Sequence, residues 1–178
     1  DSINQVPINN KVGLSFELVL KNILRQDPDI IFIGEIRDKF SLDIALQASL
    51  TGHLVLASIH SSSSVETITR LIDLKADPFL ISTTLKAVMA QRLVLAHCKS
   101  CENGCKKCNF TKFYDRTSIS EILKVDEQIS SLIFNKASFN ELKEYLKNIN
   151  FKTILDDGKQ KVKNGLTTLE EVYKVVNY

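Results

Sequence analysis

Apolar residues recur at helical spacing through residues 16 to 25, FELVLKNILR, and predict an amphipathic helix. Asp27-Pro28 stops it, because the residue before a proline avoids the helical region. Ile30-Ile31-Phe32-Ile33 follows with no polar alternation, which predicts a short strand covered on both faces. SLDIALQASL, residues 41 to 50, reads as a helix with Ser41 as N-cap and Gly52 just past its end. HLVLASIH, residues 53 to 60, reads as a second buried strand, and SSSS after it as a loop. Ser63 with Glu66 forms a capping box for VETITRLIDL. A further helix is predicted from Pro78 through FLISTTLKAVMAQRL. This alternation of strand and helix argues for an α/β domain with a largely parallel sheet.

The texture changes after Cys108. TSISEIL reads as a strand. Helices are then predicted over about 126 to 134, over 138 to 148 opened by Ser138 with Glu141, over 153 to 164 closed by Gly165, and over 167 to 176 opened by Thr167 with Glu170. From about residue 118 the reading is therefore a helical subdomain.

Composition narrows the class. Apolar residues make up 44% and charged residues 25%, which gives a globular protein enough material for a core. No apolar run reaches the ~18 residues of a membrane span. The opening DSINQVPINN is polar, has no initiator Met and does not read as a signal peptide. The expectation is a fragment whose N-terminal part is absent. A net charge of +2 gives no bulk-charge case for nucleic acid. All four cysteines fall between residues 98 and 108, which favours a metal over disulfides and a cytosolic compartment.

Three places could carry chemistry. The strand at 30–33 runs into Gly34-Glu35, and a carboxylate at a strand's carboxyl end can hold Mg²⁺ or polarise a water. Arg37 and Asp38 follow; read blandly, they are a surface ion pair worth under about 1 kcal/mol. His53 and His60 stand seven residues apart on one strand, roughly 23 Å, so they cannot share a metal. His60 falls at the carboxyl end, as Glu35 does, where it could bind or sense a γ-phosphate. No G-x-x-x-x-G-K-[ST] phosphate loop occurs, and there are only six glycines. The third place is CKSCENGCKKC, a C-x2-C-x3-C-x2-C pattern over Cys98, Cys101, Cys105 and Cys108. Each C-x-x-C arm can give two thiolates to one tetrahedral ion. Zinc is the first expectation and an iron–sulfur cluster the alternative, because the middle spacer is short. Lys99, Lys106 and Lys107 would partly offset the charge of a Zn(Cys)₄ centre.

These stretches together resemble the secretion ATPases of type II secretion and type IV pilus assembly, the GspE-type proteins. LRQDPDIIFIGEIRD is similar to the family's Walker B region, SLTGHLVLASIHS to its His box ALTGHLVLSTLHT, and MAQRLVLAHCKSC to its AQRL and cysteine region. GCKKCNFTKFYDRTSISEIL resembles GCxxCxxTGYxGRxxIxEIL, and LDDGKQKVKNGLTTLEEVYKVV resembles the family's tail. The resemblance implies an α/β fold, the C-terminal part of a RecA-like P-loop ATPase core. The implied organisation is a partial core over 1–96, a tetra-cysteine metal module over 97–117 and a helical subdomain over 118–178. It implies Glu35 as the Walker B carboxylate near Mg²⁺–ATP, catalysis by Glu35 and His60, nucleotide contact from His53 and His60, and Zn²⁺ on the cysteines. It also implies a P-loop and an acidic Asp box upstream. The whole protein would be a homo-hexamer at the cytoplasmic face of the inner membrane, driving pilin-like subunits through an inner-membrane platform protein. HSSSS replaces the family's HTN, which bears on any contact made by that Asn. TKFYDR replaces TGYxGR and loses two glycines, so a different turn is expected there. Retraction ATPases resemble the sequence but lack the cysteines, which favours the assembly or secretion branch.

Two other classes compete. A zinc-bearing interaction domain would bind partners and hydrolyse nothing. A nucleic-acid-directed ATPase is disfavoured, because no aromatic-basic stripe occurs.

Overall fold

Ser15 opens the first helix: its hydroxyl accepts the N–H of Leu18, and α1 runs Phe16–Ile23. A 3-10 turn, Leu24–Gln26, ends on Asp27 at a φ of 49°. The computed structural model describes residues 3–176. After Pro28 comes β1, Ile30–Ile33, which pairs in parallel with β2, Leu54–Ala57. The register runs from Ile30↔Leu54 to Ile33↔Ala57. Helix α2, Lys39–Leu50, makes the crossover. It starts earlier than the sequence suggested, because Asp38 and not Ser41 is the N-cap. The Asp38 carboxylate takes the Ser41 N–H at 2.8 Å, and Ser41 is buried in the first turn.

Helix α3, Ser64–Asp73, is capped by Ser63 as expected. The reciprocal half of the expected box is altered, since the Glu66 carboxylate turns to the N–H and hydroxyl of Ser62. Helix α4, Pro78–Thr84, starts at its proline and stops far short of Leu93. The Thr83 and Thr84 hydroxyls bond back to the carbonyls of Phe79 and Leu80. Leu85 then leaves the helix with a ψ of 119°. From Ala87 the exposure alternates, with Val88, Ala90 and Val94 buried and Met89, Gln91 and Leu93 exposed. This is β3, Ala87–His97, not helix; its period is 2. Its partner lies beyond the cysteines: β4, Phe113–Lys124, pairs with it antiparallel from Ala87↔Lys124 to His97↔Phe113. The expectation of a largely parallel sheet is corrected accordingly, for the longer ladder is antiparallel.

Four helices complete the described residues: α5, Glu127–Phe134; α6, Phe139–Asn148; α7, Ile154–Lys163; and α8, Leu169–Val176. The Ser138–Glu141 box is present, and Thr153 with Asp156 makes another. Thr167 does not open α8. It is buried and its hydroxyl donates to the Leu95 carbonyl at 2.7 Å, while Thr168 accepts the Glu171 N–H.

One apolar core joins Leu20, Ile31, Ile68, Ile81, Ile129 and Leu142, so α5 and α6 pack with the first half of the chain. A smaller one, Val94, Ile119, Ile154 and Val172, fastens α7 and α8 to the β3–β4 hairpin. Gly158 of α7 lets Val172 of α8 approach: a Cβ on Gly158 would stand 2.5 Å from Val172 Cγ1. The β1–β2 pair departs from expectation on one face. Ile31 and Ile33 are buried, whereas Phe32 is 71% and Ile30 58% exposed. Helices cover this pair on one side only among the described residues, so the alternation that the side chains lack appears in their burial.

Candidate functional site

Parallel pairing brings the carboxyl ends of β1 and β2 to one edge. Backbone bonds continue past the strands: Ser58 N–H donates to the Ile33 carbonyl at 3.3 Å and Ile36 N–H to the Ser58 carbonyl at 2.8 Å. The Ser58 hydroxyl adds a bond to the Gly34 carbonyl. Glu35 and His60 therefore leave the sheet side by side. Glu35 is half-buried and His60 exposed. Arg37 closes on Glu35, Nη2 to Oε2 at 2.5 Å and Nε to Oε2 at 2.7 Å. The Arg37 hydrogen bond holds the Glu35 carboxyl below the usual carboxylate range; desolvation opposes it, and positive charge on Arg37, His60 and Arg70 assists. The ion pair expected between Arg37 and Asp38 is replaced by this one, since Asp38 is occupied as the α2 cap.

His53 stands apart from this edge. It sits at the amino end of β2, its Nδ1 3.1 Å from the Ala48 carbonyl and 3.2 Å from Thr51 Oγ1. The structure thus brings Glu35 and His60 together and leaves His53 at the opposite end.

The four cysteines converge at the tip of the hairpin. Their sulfurs all lie within 4.8 Å of one another, and none is in a disulfide. Cys98 to Cys105 is 4.0 Å, Cys101 to Cys108 3.6 Å and Cys105 to Cys108 3.9 Å. The Cys105 N–H donates to the Cys108 sulfur at 3.2 Å and pulls that thiol down to about 6. Burial and the neighbouring sulfurs push Cys101 up to about 12. Gly104, in the short spacer, permits the fold-back: with φ at 101°, a Cβ there would meet the Phe110 carbonyl oxygen at 2.9 Å. The cluster is anchored to the α7–α8 turn through His97, whose N–H reaches the Leu166 carbonyl at 2.9 Å and whose Nδ1 lies 2.8 Å from the Gly165 carbonyl.

Comparison with known proteins gives the family. The family described as Type II/IV secretion system protein matches residues 1–174. The chain belongs to this family. Type II secretion system protein HxcR of Pseudomonas aeruginosa is 41% identical over 182 residues, covering 97% of this chain and 39% of that protein. Type II secretion system ATPase E of Vibrio cholerae is 39% identical over 201 residues, covering 98% of this chain and 40% of that protein. The chain thus spans about two fifths of the length of these relatives. Among solved structures, the pilus retraction motor PilT with bound ADP superposes with a TM-score of 0.71 at 28% identity, over 90% of this chain and 43% of that one. The fold is that of the RecA-like secretion ATPases, mixed α/β with a tetra-cysteine cluster.

The turn at TKFYDR has a distinctive backbone. Lys112 and Asp115 stand where TGYxGR has its glycines, and both have the left-handed backbone that glycine favours, with φ of 68° and 73°. Two residues near the edge escaped the sequence reading, Arg92 and Glu121. Glu121 left a signal: it occupies a buried phase of β4 between Ile119 and Leu123, where a charge needs partners.

Proposed function

We propose that the chain is part of an ATPase motor powering type II secretion or type IV pilus assembly. The observation that carries this reading is the shared edge of β1 and β2. There Glu35 and His60 stand together in a member of the secretion family. In this reading Glu35 holds Mg²⁺ through water or polarises the attacking water, and His60 meets the γ-phosphate region of ATP. His53 braces the start of β2. No backbone cradle with its lysine occurs among the 178 residues, so the phosphate grip comes from elsewhere in the protein.

The cysteines suit Zn²⁺. A tetrahedral ion with bonds of about 2.3 Å sets its sulfurs about 3.8 Å apart, close to the spacings found here. A multi-iron cluster needs a wider cage. Cys98, Cys101, Cys105 and Cys108 would hold the ion in a closed, structural site. The motor would work as a homo-hexamer on an inner-membrane platform protein, at the cytoplasmic face. No helix among the described residues is long and apolar enough to cross a membrane. Likeness to PilT keeps a retraction motor as a second reading, and the cysteine cluster favours assembly or secretion.

Glu35→Gln in the full-length protein tests the assignment. Turnover should fall strongly while nucleotide binding largely survives, and unchanged turnover would reject the role of Glu35. The 178-residue chain alone should hydrolyse ATP negligibly; turnover matching the full-length protein would reject the need for an added phosphate grip.

A further inference from the structure

The segment from His60 to Ser64 carries one of the two edge residues, yet its own bonds are short-range. Ser61 Oγ lies 2.5 Å from Thr67 Oγ1, and Ser62 is held by Glu66. What fixes it to the rest of the molecule is the inner face of the hairpin. Arg92 on β3 is paired with Ile119 on β4, so Glu121 is its diagonal neighbour on the same face. Arg92 Nη2 donates to the carbonyls of Ser61 and Ser62, each at 3.2 Å. Glu121 Oε1 accepts the Ser64 N–H at 2.8 Å and the Ser64 hydroxyl at 2.6 Å. Guanidinium and carboxylate thus grip the carbonyls at one end of the segment and the amide at the other.

Glu121 does more than hold the loop. Its Oε2 accepts the Ile154 N–H at 2.9 Å, the first residue of α7. One buried carboxylate, 6% exposed, therefore serves the amino ends of α3 and α7 together. Unpaired N–H groups and the helix dipole both favour an anion there. A glutamine could accept at one helix only; its amide would present N–H groups to the other and leave a buried donor without an acceptor.

We infer that Arg92 and Glu121 are positioning residues that hold His60 beside Glu35, and that Glu121 links this edge to the start of α7. Their effect on turnover rests on the reading of the edge as the nucleotide site. The hairpin that carries the cysteines at its tip is thereby also the clamp on the loop.

The test uses the full-length protein with Glu121→Gln and Arg92→Gln, read by ATP turnover across substrate concentration and by amide hydrogen exchange over peptides 60–67 and 153–157. Both variants should lower kcat by about tenfold or more, with KM for ATP within about twofold. Exchange over 60–67 should quicken in both, and over 153–157 only in Glu121→Gln. A purely structural weakening would instead lower the folded fraction and leave kcat per folded molecule intact, overturning the inference. Unchanged exchange over 60–67 in Arg92→Gln overturns it as well, even if Glu121→Gln fails to fold. The Glu35→Gln control separates the two readings. If that control keeps full turnover, the edge assignment fails, while the exchange data still decide the clamp. If it abolishes turnover and the two clamp variants turn over normally, the positioning role fails.

Discussion

Glu35 and Arg37, two residues apart, close on each other at the strand edge: Arg37 Nε donates a hydrogen bond to Glu35 Oε2 and Nη2 makes an ion-pair contact with the same oxygen. Arg37 is largely exposed, so the pair is open to solvent and contributes little to stability by itself. Its effect is on ionisation. A carboxyl whose folded pKa is depressed stays charged as pH falls through the usual range, and the pairing is lost only below it. Arg37→Gln should return the Glu35 titration upward, toward the ordinary 4.5. A carboxyl-carbon NMR titration of both forms reads this directly, and an unmoved Glu35 midpoint would mean that Arg37 is not the cause.

The two histidines should separate in function. His60 shares the edge with Glu35, whereas His53 is tied to Ala48 and Thr51 at the far end of β2. In the full-length protein, His60→Ala should lower ATP turnover more than His53→Ala, whose main effect should be on thermal stability. A larger loss of turnover at His53 would reverse the geometry.

Protein purified without added metal should contain one zinc per chain by elemental analysis. Chelation should speed amide exchange from about 96 to 117, because two C-x-x-C arms lose the ion that joins them. Visible absorbance with bound iron would favour a cluster instead. Disulfides in freshly reduced protein would remove the metal reading.

Lys112 and Asp115 hold left-handed backbone without being glycine. A non-glycine residue there costs roughly 1–2 kcal/mol, partly offset by the unfolded-state freedom that glycine adds. Lys112→Gly should therefore stabilise the protein by about 0.5–1 kcal/mol in denaturant unfolding. Asp115→Gly should gain less, since Asp tolerates this region better. Destabilisation by Lys112→Gly would show that its side chain contributes more than the strain costs.

Much of this was legible in the sequence because it depends on near neighbours. Caps at Ser63 and Ser138, the stop at Asp27-Pro28 and the paired cysteine arms are all set within a few residues. The strand at 87–97 was misread because LKAVMAQRL suits either period locally, and its partner lies beyond the cysteine loop. Thr167 was misread for the same reason: the carbonyl of Leu95 that captures its hydroxyl is distant in sequence. At the candidate site, the places of Glu35 and His60 past the ends of two strands could be read from the sequence. Arg92 and Glu121 were not, since their partners Ser61, Ser64 and Ile154 come together only once the hairpin folds over α3.

The hairpin also favours one order of assembly. Its ladder ends at His97↔Phe113, so residues 98–112 form the shortest loop whose closure brings a pair of the ladder together. Closing a flexible loop costs entropy that grows slowly with its length, and the later pairs recover it. An ion gathering the four thiolates would close this loop in advance, and pairing would then zip from the tip toward Ala87↔Lys124. Metal would act as a kinetic nucleus as much as a brace. Metal-free protein should refold more slowly in stopped-flow experiments, with the delay falling on the hairpin and on the helices α7 and α8 that dock against it.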